Sequence, residues 1–163
     1  DMPAAFGLPV KLTIYTDTAH AGNIINQRSH TGIIIFLNKA PIHVYSKLQL
    51  TVKASTFGLE FVALRIGMEQ NDALQYKLRM MGVPILGPTD VFCDNDGVVK
   101  NTMALESVLK KKHLSICYHF ICECSAKLAA RISHTPTNFN LSDLATKVLD
   151  QDKGKEIVRQ LLY

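Results

Sequence analysis

Four acidic side chains, Asp17, Glu60, Asp94 and Asp143, stand where a carboxylate can do chemistry. Asp17 closes the alternating run Val10-Lys11-Leu12-Thr13-Ile14-Tyr15-Thr16, which suits a strand, and Asp94 follows the short apolar run Val91-Phe92-Cys93. Glu60 falls inside the helical pattern Phe57, Leu59, Phe61, Ala63, Leu64, where a charge among apolar neighbours needs compensation. Asp143 opens a small helix, Leu144-Ala145-Thr146-Lys147. Carboxylate oxygens are hard ligands that suit Mg²⁺, and two such ions held roughly 3.5–4 Å apart stabilise both the attacking and leaving oxygens of a phosphodiester displacement. Each residue also has an ordinary reading. An Asp after a strand commonly caps a turn or helix, and Asp143 in Asn140-Leu141-Ser142-Asp143 can be a plain N-cap.

The elements that must position these carboxylates follow from periodicity and turn chemistry. Strands are predicted over residues 12–16, 32–37 and 41–45, with a turn at Asn38-Lys39-Ala40-Pro41 that suits an antiparallel meander. A long helix over residues 55–81 ends at Gly82 and Pro84. There follow a strand over 90–93, a short helix over 96–100, a helix over 111–126, a strand over 128–133, and a helix from Ser142. Three antiparallel strands followed by alternating helix and strand predict an α/β chain, a mixed five-stranded sheet with helices on both faces.

With 163 residues, 47% of them hydrophobic and 20% charged, the chain is the size of one globular domain, with a core expected over about residues 10–150. No apolar stretch approaches the length of a bilayer span and the amino terminus lacks a basic signal segment, so no membrane partner and an intracellular setting are expected. A start at Asp1 rather than Met suggests a piece excised from a longer polypeptide. Cys93, Cys117, Cys122 and Cys124 are expected to be free thiols, since three crowd one predicted helix. Adding His113 and His119 does not make a zinc site, because ligands at that spacing point around several faces of the helix. A net charge of +4 permits nucleic-acid binding without demanding it. The run Lys110-Lys111-Lys112-His113 is either a solvated face or a backbone contact for bound nucleic acid.

A resemblance covers most of the chain in order. It takes in Tyr15-Thr16-Asp17-Thr18-Ala19-His20-Ala21-Gly22, Arg28-Ser29-His30-Thr31-Gly32, Ser46-Lys47, and Ser55-Thr56-Phe57-Gly58-Leu59-Glu60-Phe61. Downstream come Tyr76-Lys77-Leu78-Arg79, Cys93-Asp94-Asn95-Asp96, Lys112-His113-Leu114-Ser115, Tyr118-His119-Phe120, His134-Thr135-Pro136-Thr137 and Leu141-Ser142-Asp143-Leu144-Ala145-Thr146-Lys147. Together these resemble the ribonuclease H domain of Copia-type LTR retrotransposon polyproteins.

The resemblance implies a ribonuclease H-like fold and cleavage of the RNA strand of RNA–DNA hybrids during reverse transcription. Two Mg²⁺ ions, with Mn²⁺ as a substitute, would be held by Asp17, Glu60, Asp94 and Asp143. The four like charges should then raise one another's pKa values in the absence of metal. His134, in the loop before Asp143, corresponds to a loop histidine that assists proton transfer or product release, or else is a surface residue. His20 is read as a packing or supporting residue. Arg28, Ser29, Ser55, Thr56 and Asn95 resemble polar positions around the hybrid groove, though each also suits a turn or cap. The implied partners are the hybrid and an adjoining reverse transcriptase domain, in a cytoplasmic virus-like particle or the nucleus.

The chain departs from the pattern too. Many relatives carry a second aspartate where Ala19 stands and arginines where Gln27, Gln75, Cys117 and Cys122 stand, changes that point to a decaying copy with fewer cationic contacts. The alternative function is accordingly a weakened or domesticated fold acting as a binding or assembly module.

Overall fold

The run Thr31-Gly32-Ile33-Ile34-Ile35-Phe36 is buried on both sides, and that double burial sets the layering of the whole molecule. The computed structural model describes residues 2–19, 28–49, 55–103 and 115–162. His20, Gln27, the basic run at 110–113 and the predicted first turn of the helix at 111–114 lie outside them.

Strands β1 (Leu12–Ala19), β2 (His30–Leu37), β3 (Ala40–Leu48), β4 (Thr89–Cys93) and β5 (Ala130–His134) form one sheet in the order β3-β2-β1-β4-β5. The β3-β2-β1 pairs are antiparallel, whereas β1-β4 and β4-β5 are parallel. Asn38 and Lys39 make the tight turn between β2 and β3, with Asn38 at φ 56°, a left-handed conformation that asparagine tolerates.

Because strand side chains alternate, Ile33 and Ile35 enter one core with Leu12, Ile14, Phe61, Leu64 and Val91, while Ile34 and Phe36 face the other way, against Leu141 and Ile157. The first face is covered by α1 (Thr56–Met80), α2 (Asp96–Met103) and α3 (Ser115–Ala126). The second is covered by α4 (Asp143–Thr146) and α5 (Gln151–Leu162). This is the mixed five-stranded sheet with helices on both faces that the sequence predicts. No helix among the described residues is long and apolar enough to cross a membrane.

Two expectations need correction. The small helix expected from Ser142 is present as α4, but the chain does not end its helices there: Lys147 turns extended, at φ −127° and ψ 148°, and Val148-Leu149-Asp150 leads into a further helix, α5, that the sequence reading does not include. Asp150, a favoured N-cap type, stands just before α5, whose apolar side then presents Ile157 and Leu161 to the second core. The second correction concerns Gln75. It is 3% exposed, and its amide donates to Thr89 Oγ1 and the Ala129 carbonyl, both at 2.9 Å. Gln75 therefore fixes α1 against β4 and the start of β5. Cys117 is buried as well, so neither position is a vacated phosphate contact.

Candidate metal centre

The register of the parallel pair begins the site. Thr16 pairs with Cys93, so Asp17 and Asp94 are the next residues along two adjacent strands running the same way. Alternation sends Thr16 and Thr18 toward α1, and Tyr15 and Asp17 toward α4 and α5. Thr18 Oγ1 accordingly donates to Glu60 Oε1 at 2.6 Å, from β1 to the second turn of α1. On the other face, Asp17 accepts a hydrogen bond from Thr146 of α4.

Helix α4 reaches this position because of Gly32, the β2 partner of Asp17. A Cβ there would lie 2.4 Å from Thr146 Cγ2 and 2.9 Å from the Ser142 carbonyl. Asn140, fully buried, donates from Nδ2 to the Thr16 carbonyl at 3.0 Å and accepts from Ser142 Oγ at 2.6 Å, tying the loop before α4 to the strand that carries Asp17.

The four predicted carboxylates do converge. Ligand oxygens of Asp17, Asp94 and Asp143 lie within 4.8 Å of one another, and a second group within that limit comprises Glu60, Cys93 and Asp94. Asp94 belongs to both. Asp17 and Asp143 are 1% exposed and Glu60 5%, while Asp94 is half-buried. The oxygen set fits a hard divalent cation such as Mg²⁺. Cys93 fits less well, because burial, reinforced by Glu60, pushes its thiol well above the usual range and keeps it protonated.

The charges are not mutually raised throughout, as the sequence suggested. Burial pushes Glu60 up to about 8, with Asp94 and Asp17 adding to the effect and the Thr18 hydrogen bond opposing it. Burial likewise raises Asp17 and Asp94. Asp143 goes the other way. Burial alone would raise it, but hydrogen bonds and charge from Lys147 and Lys153 outweigh that and hold it below the usual carboxylate range. Lys147 Nζ stands 2.7 Å from Asp143 Oδ1 and 3.2 Å from Asp17 Oδ2, and Lys153 Nζ stands 2.7 Å from Asp143 Oδ2.

Around this centre the other predicted residues fall unevenly. His134 pairs with Cys93 at the end of the sheet, and its exposed ring sets Nε2 3.2 Å from the Asp94 carbonyl, so it joins the rim of the site. Asn95 is a helix cap: its Oδ1 accepts from the Val98 amide at 3.2 Å. Ser55 and Thr56 sit at the amino end of α1, one turn before Glu60. Arg28 is half-buried, and Ser29 is buried at 3% exposed, which does not suit direct contact with a sugar oxygen.

Sequence reasoning missed Thr18, Thr146, Lys147 and Lys153. Lys147 is four residues after Asp143, a spacing that brings side chains together on one helix face, and that signal was readable. Lys153 carries no such signal, since its approach depends on how α5 docks.

No family model matches the chain. It is 29% identical over 148 residues to the retrovirus-related Pol polyprotein of transposon TNT 1-94 from Nicotiana tabacum, covering 91% of this chain and 11% of that protein. It is 28% identical over 155 residues to that of transposon RE2 from Arabidopsis thaliana, covering 95% of this chain and 11% of that protein. The chain thus spans about a tenth of the length of the curated relatives it matches. Among solved structures, the amino-terminal ribonuclease H domain of a Mycobacterium tuberculosis protein superposes with a TM-score of 0.62 at 16% identity, covering 92% of this chain and 97% of that one. A ribonuclease H1 isolated from compost, in complex with an RNA/DNA hybrid, gives 0.64 at 20% identity, with 83% and 94% covered. The chain therefore has the ribonuclease H-like fold and is related in sequence to the retrovirus-related Pol polyproteins of plant transposons.

Proposed function

We propose that this chain is a metal-dependent endoribonuclease that cleaves the RNA strand of RNA–DNA hybrids, acting beside a reverse transcriptase segment of a Copia-type polyprotein. The observation that carries the reading is the convergence of Asp17, Glu60, Asp94 and Asp143, three of them nearly inaccessible to water, from four separate elements onto one end of the sheet. So many buried carboxylates are costly unless something cationic compensates them, and Lys147 and Lys153 reach only Asp143 and Asp17 of the four, which leaves Glu60 and Asp94 for a divalent ion. Two Mg²⁺ ions, with Mn²⁺ as a substitute, would supply an activated water and stabilise charge on the attacking and leaving oxygens.

The residues divide the remaining work. Asp94, shared by both ligand groups and the most accessible of the four, is the carboxylate placed to face the scissile phosphate. Asn140 and Gly32 hold α4 so that Asp143 and Asp17 stay within bridging distance. Thr18 orients Glu60 by donating to one of its oxygens. His134 donates from Nε2 to the Asp94 carbonyl, which leaves Nδ1 with the lone pair to take a proton at the rim. Arg28, Ser55, Thr56 and the amide nitrogen of Asn95 are the polar groups offered to the hybrid. Ser29, being buried, shapes the wall behind them.

A labelled hybrid incubated with Mg²⁺ should shorten in its RNA strand, while single-stranded RNA and duplex DNA stay intact. Equal cleavage of all three, or none by well-folded protein, contradicts the reading.

A further inference from the structure

Lys153 comes to the carboxylate cluster from outside it, on the first turn of a helix that otherwise belongs to the second core. Its Nζ is 2.7 Å from Asp143 Oδ2, and Lys147 holds the other oxygen at 2.7 Å, so both oxygens of a residue only 1% exposed are occupied by ammonium groups. The two lysines differ in their freedom. Lys147 sits four residues from Asp143 at the end of the same short helix, and Gly32 and Asn140 fix that segment. Lys153 lies beyond the non-helical linker at Val148-Leu149-Asp150.

The deep anchor of α5 is Ile157, 3% exposed, one turn after Lys153, with Leu161 packed behind it. Between Lys153 and that anchor stands Gly154, which disfavours helix and around whose missing Cβ only Leu149 Cβ comes as close as 4.0 Å. The ion pair to Asp143 thus ties the first turn of α5 to the carboxylate cluster.

We infer that Lys153 is a resident competitor for the divalent cation at Asp143, so that cation binding and the seating of the first turn of α5 oppose each other. The inference rests on the metal reading of the cluster. A carboxylate oxygen beside Asp17 and Asp94 can be neutralised by an ammonium or by a divalent ion, and the two positive charges repel at that range. If the ion weakens the Lys153 contact, linkage requires that Lys153 weaken the ion by the same factor. Asp143 also becomes the place where movement of α5 reaches the chemistry: a partner that lifts the first turn tightens the metal site, and one that presses it down loosens it.

Calorimetric titration of Mn²⁺ into the whole chain, compared with K153Q, K153R and D94N, tests this without reading activity. Lys153 is more than a third exposed, so neither substitution disturbs the core. K153Q should bind Mn²⁺ about fivefold more tightly, the worth of a half-exposed ion pair, and K153R should match the parent. Hydrogen exchange over residues 151–162 gives the reciprocal reading. Saturating Mn²⁺ should speed exchange there in the parent and leave K153Q, already fast, unchanged. Equal or weaker binding by K153Q, or exchange in α5 of the parent that ignores Mn²⁺, overturns the inference while leaving the metal reading intact. Binding that D94N does not diminish overturns the metal reading itself, and this inference with it.

Discussion

Glu60 on the α1 face of the sheet end and Asp143 on the α4–α5 face are both nearly inaccessible, yet their charges are driven in opposite directions. On the α1 face, Glu60 has neutral hydrogen-bond partners, the Thr18 hydroxyl and more distantly the Cys93 thiol at 4.0 Å, and burial drives its pKa up to about 8. On the α4–α5 face, Asp143 is even less exposed, yet two lysines keep it ionised. Depth alone therefore does not decide the charge of a site carboxylate. Charged partners weigh against it: two ammonium groups at 2.7 Å outweigh the desolvation of Asp143, whereas Asp17, with one at 3.2 Å, is still raised by burial. Asp94 lies between the two faces and is common to both ligand groups, so it links the protonated Glu60 to the lysine-paired Asp143.

The strongest way to break this arrangement is to remove a carboxylate that both halves feel. Asp17→Asn and Asp94→Asn should each lower hybrid cleavage on the order of a thousandfold, several kcal/mol of transition-state stabilisation. Stability in metal-free buffer should hold or rise, since burial already disfavours the charge at both positions. Turnover near that of the parent in Mg²⁺ would show the ligand set to be wrong.

Glu60→Gln sharpens the comparison on the α1 face alone. Between about pH 4.5 and 8, Glu60 is protonated in the folded protein and ionised in the unfolded chain, so the folded state holds more protons and metal-free stability falls as pH rises through that window. The substitution should remove this slope and raise stability at pH 8 by on the order of 3 kcal/mol, measured by urea unfolding at several pH values. A slope unchanged by the substitution would locate the titration elsewhere.

Gly32→Ala attacks the opposite face. Its Cβ would meet backbone and side chain of α4, so α4 must shift and carry Asp143 with it. A stability loss of about 2 kcal/mol is expected from overpacking, together with weaker Mn²⁺ binding, while the pH slope from Glu60 persists. Gly154→Ala should have the smallest effect. The site is open enough for a methyl, and α5 should gain about 0.5–1 kcal/mol in thermal unfolding because alanine favours helix.

How much of this was legible in the residues differs between the same two faces. The strands of the sheet, α1 and the four carboxylates could be read because their signals are local: alternation around Asp17, a helical stripe around Glu60, an apolar run before Asp94. The α1 half of the site is nearly complete on those terms. The other half was not, because its defining contacts join residues far apart in sequence. Thr146 meets Asp17 across 129 positions, and Asn140 meets Thr16 across 124. Helix α5 was missed although Asp150 and the Ile157, Leu161 spacing mark its start. Gln75 misled for a related reason. Its residue type suggested a lost surface arginine, whereas its burial against Thr89 and Ala129 is a product of packing.

The central claim is that Asp17, Glu60, Asp94 and Asp143 form one divalent-cation centre shared by both faces of the sheet. Anomalous diffraction from crystals soaked in Mn²⁺ tests it most directly. The account predicts two peaks at this end of the sheet, both touching Asp94, one completed by Glu60 and the other by Asp17 and Asp143. Peaks elsewhere on the molecule, or no peak among these carboxylates at saturating Mn²⁺, would contradict it.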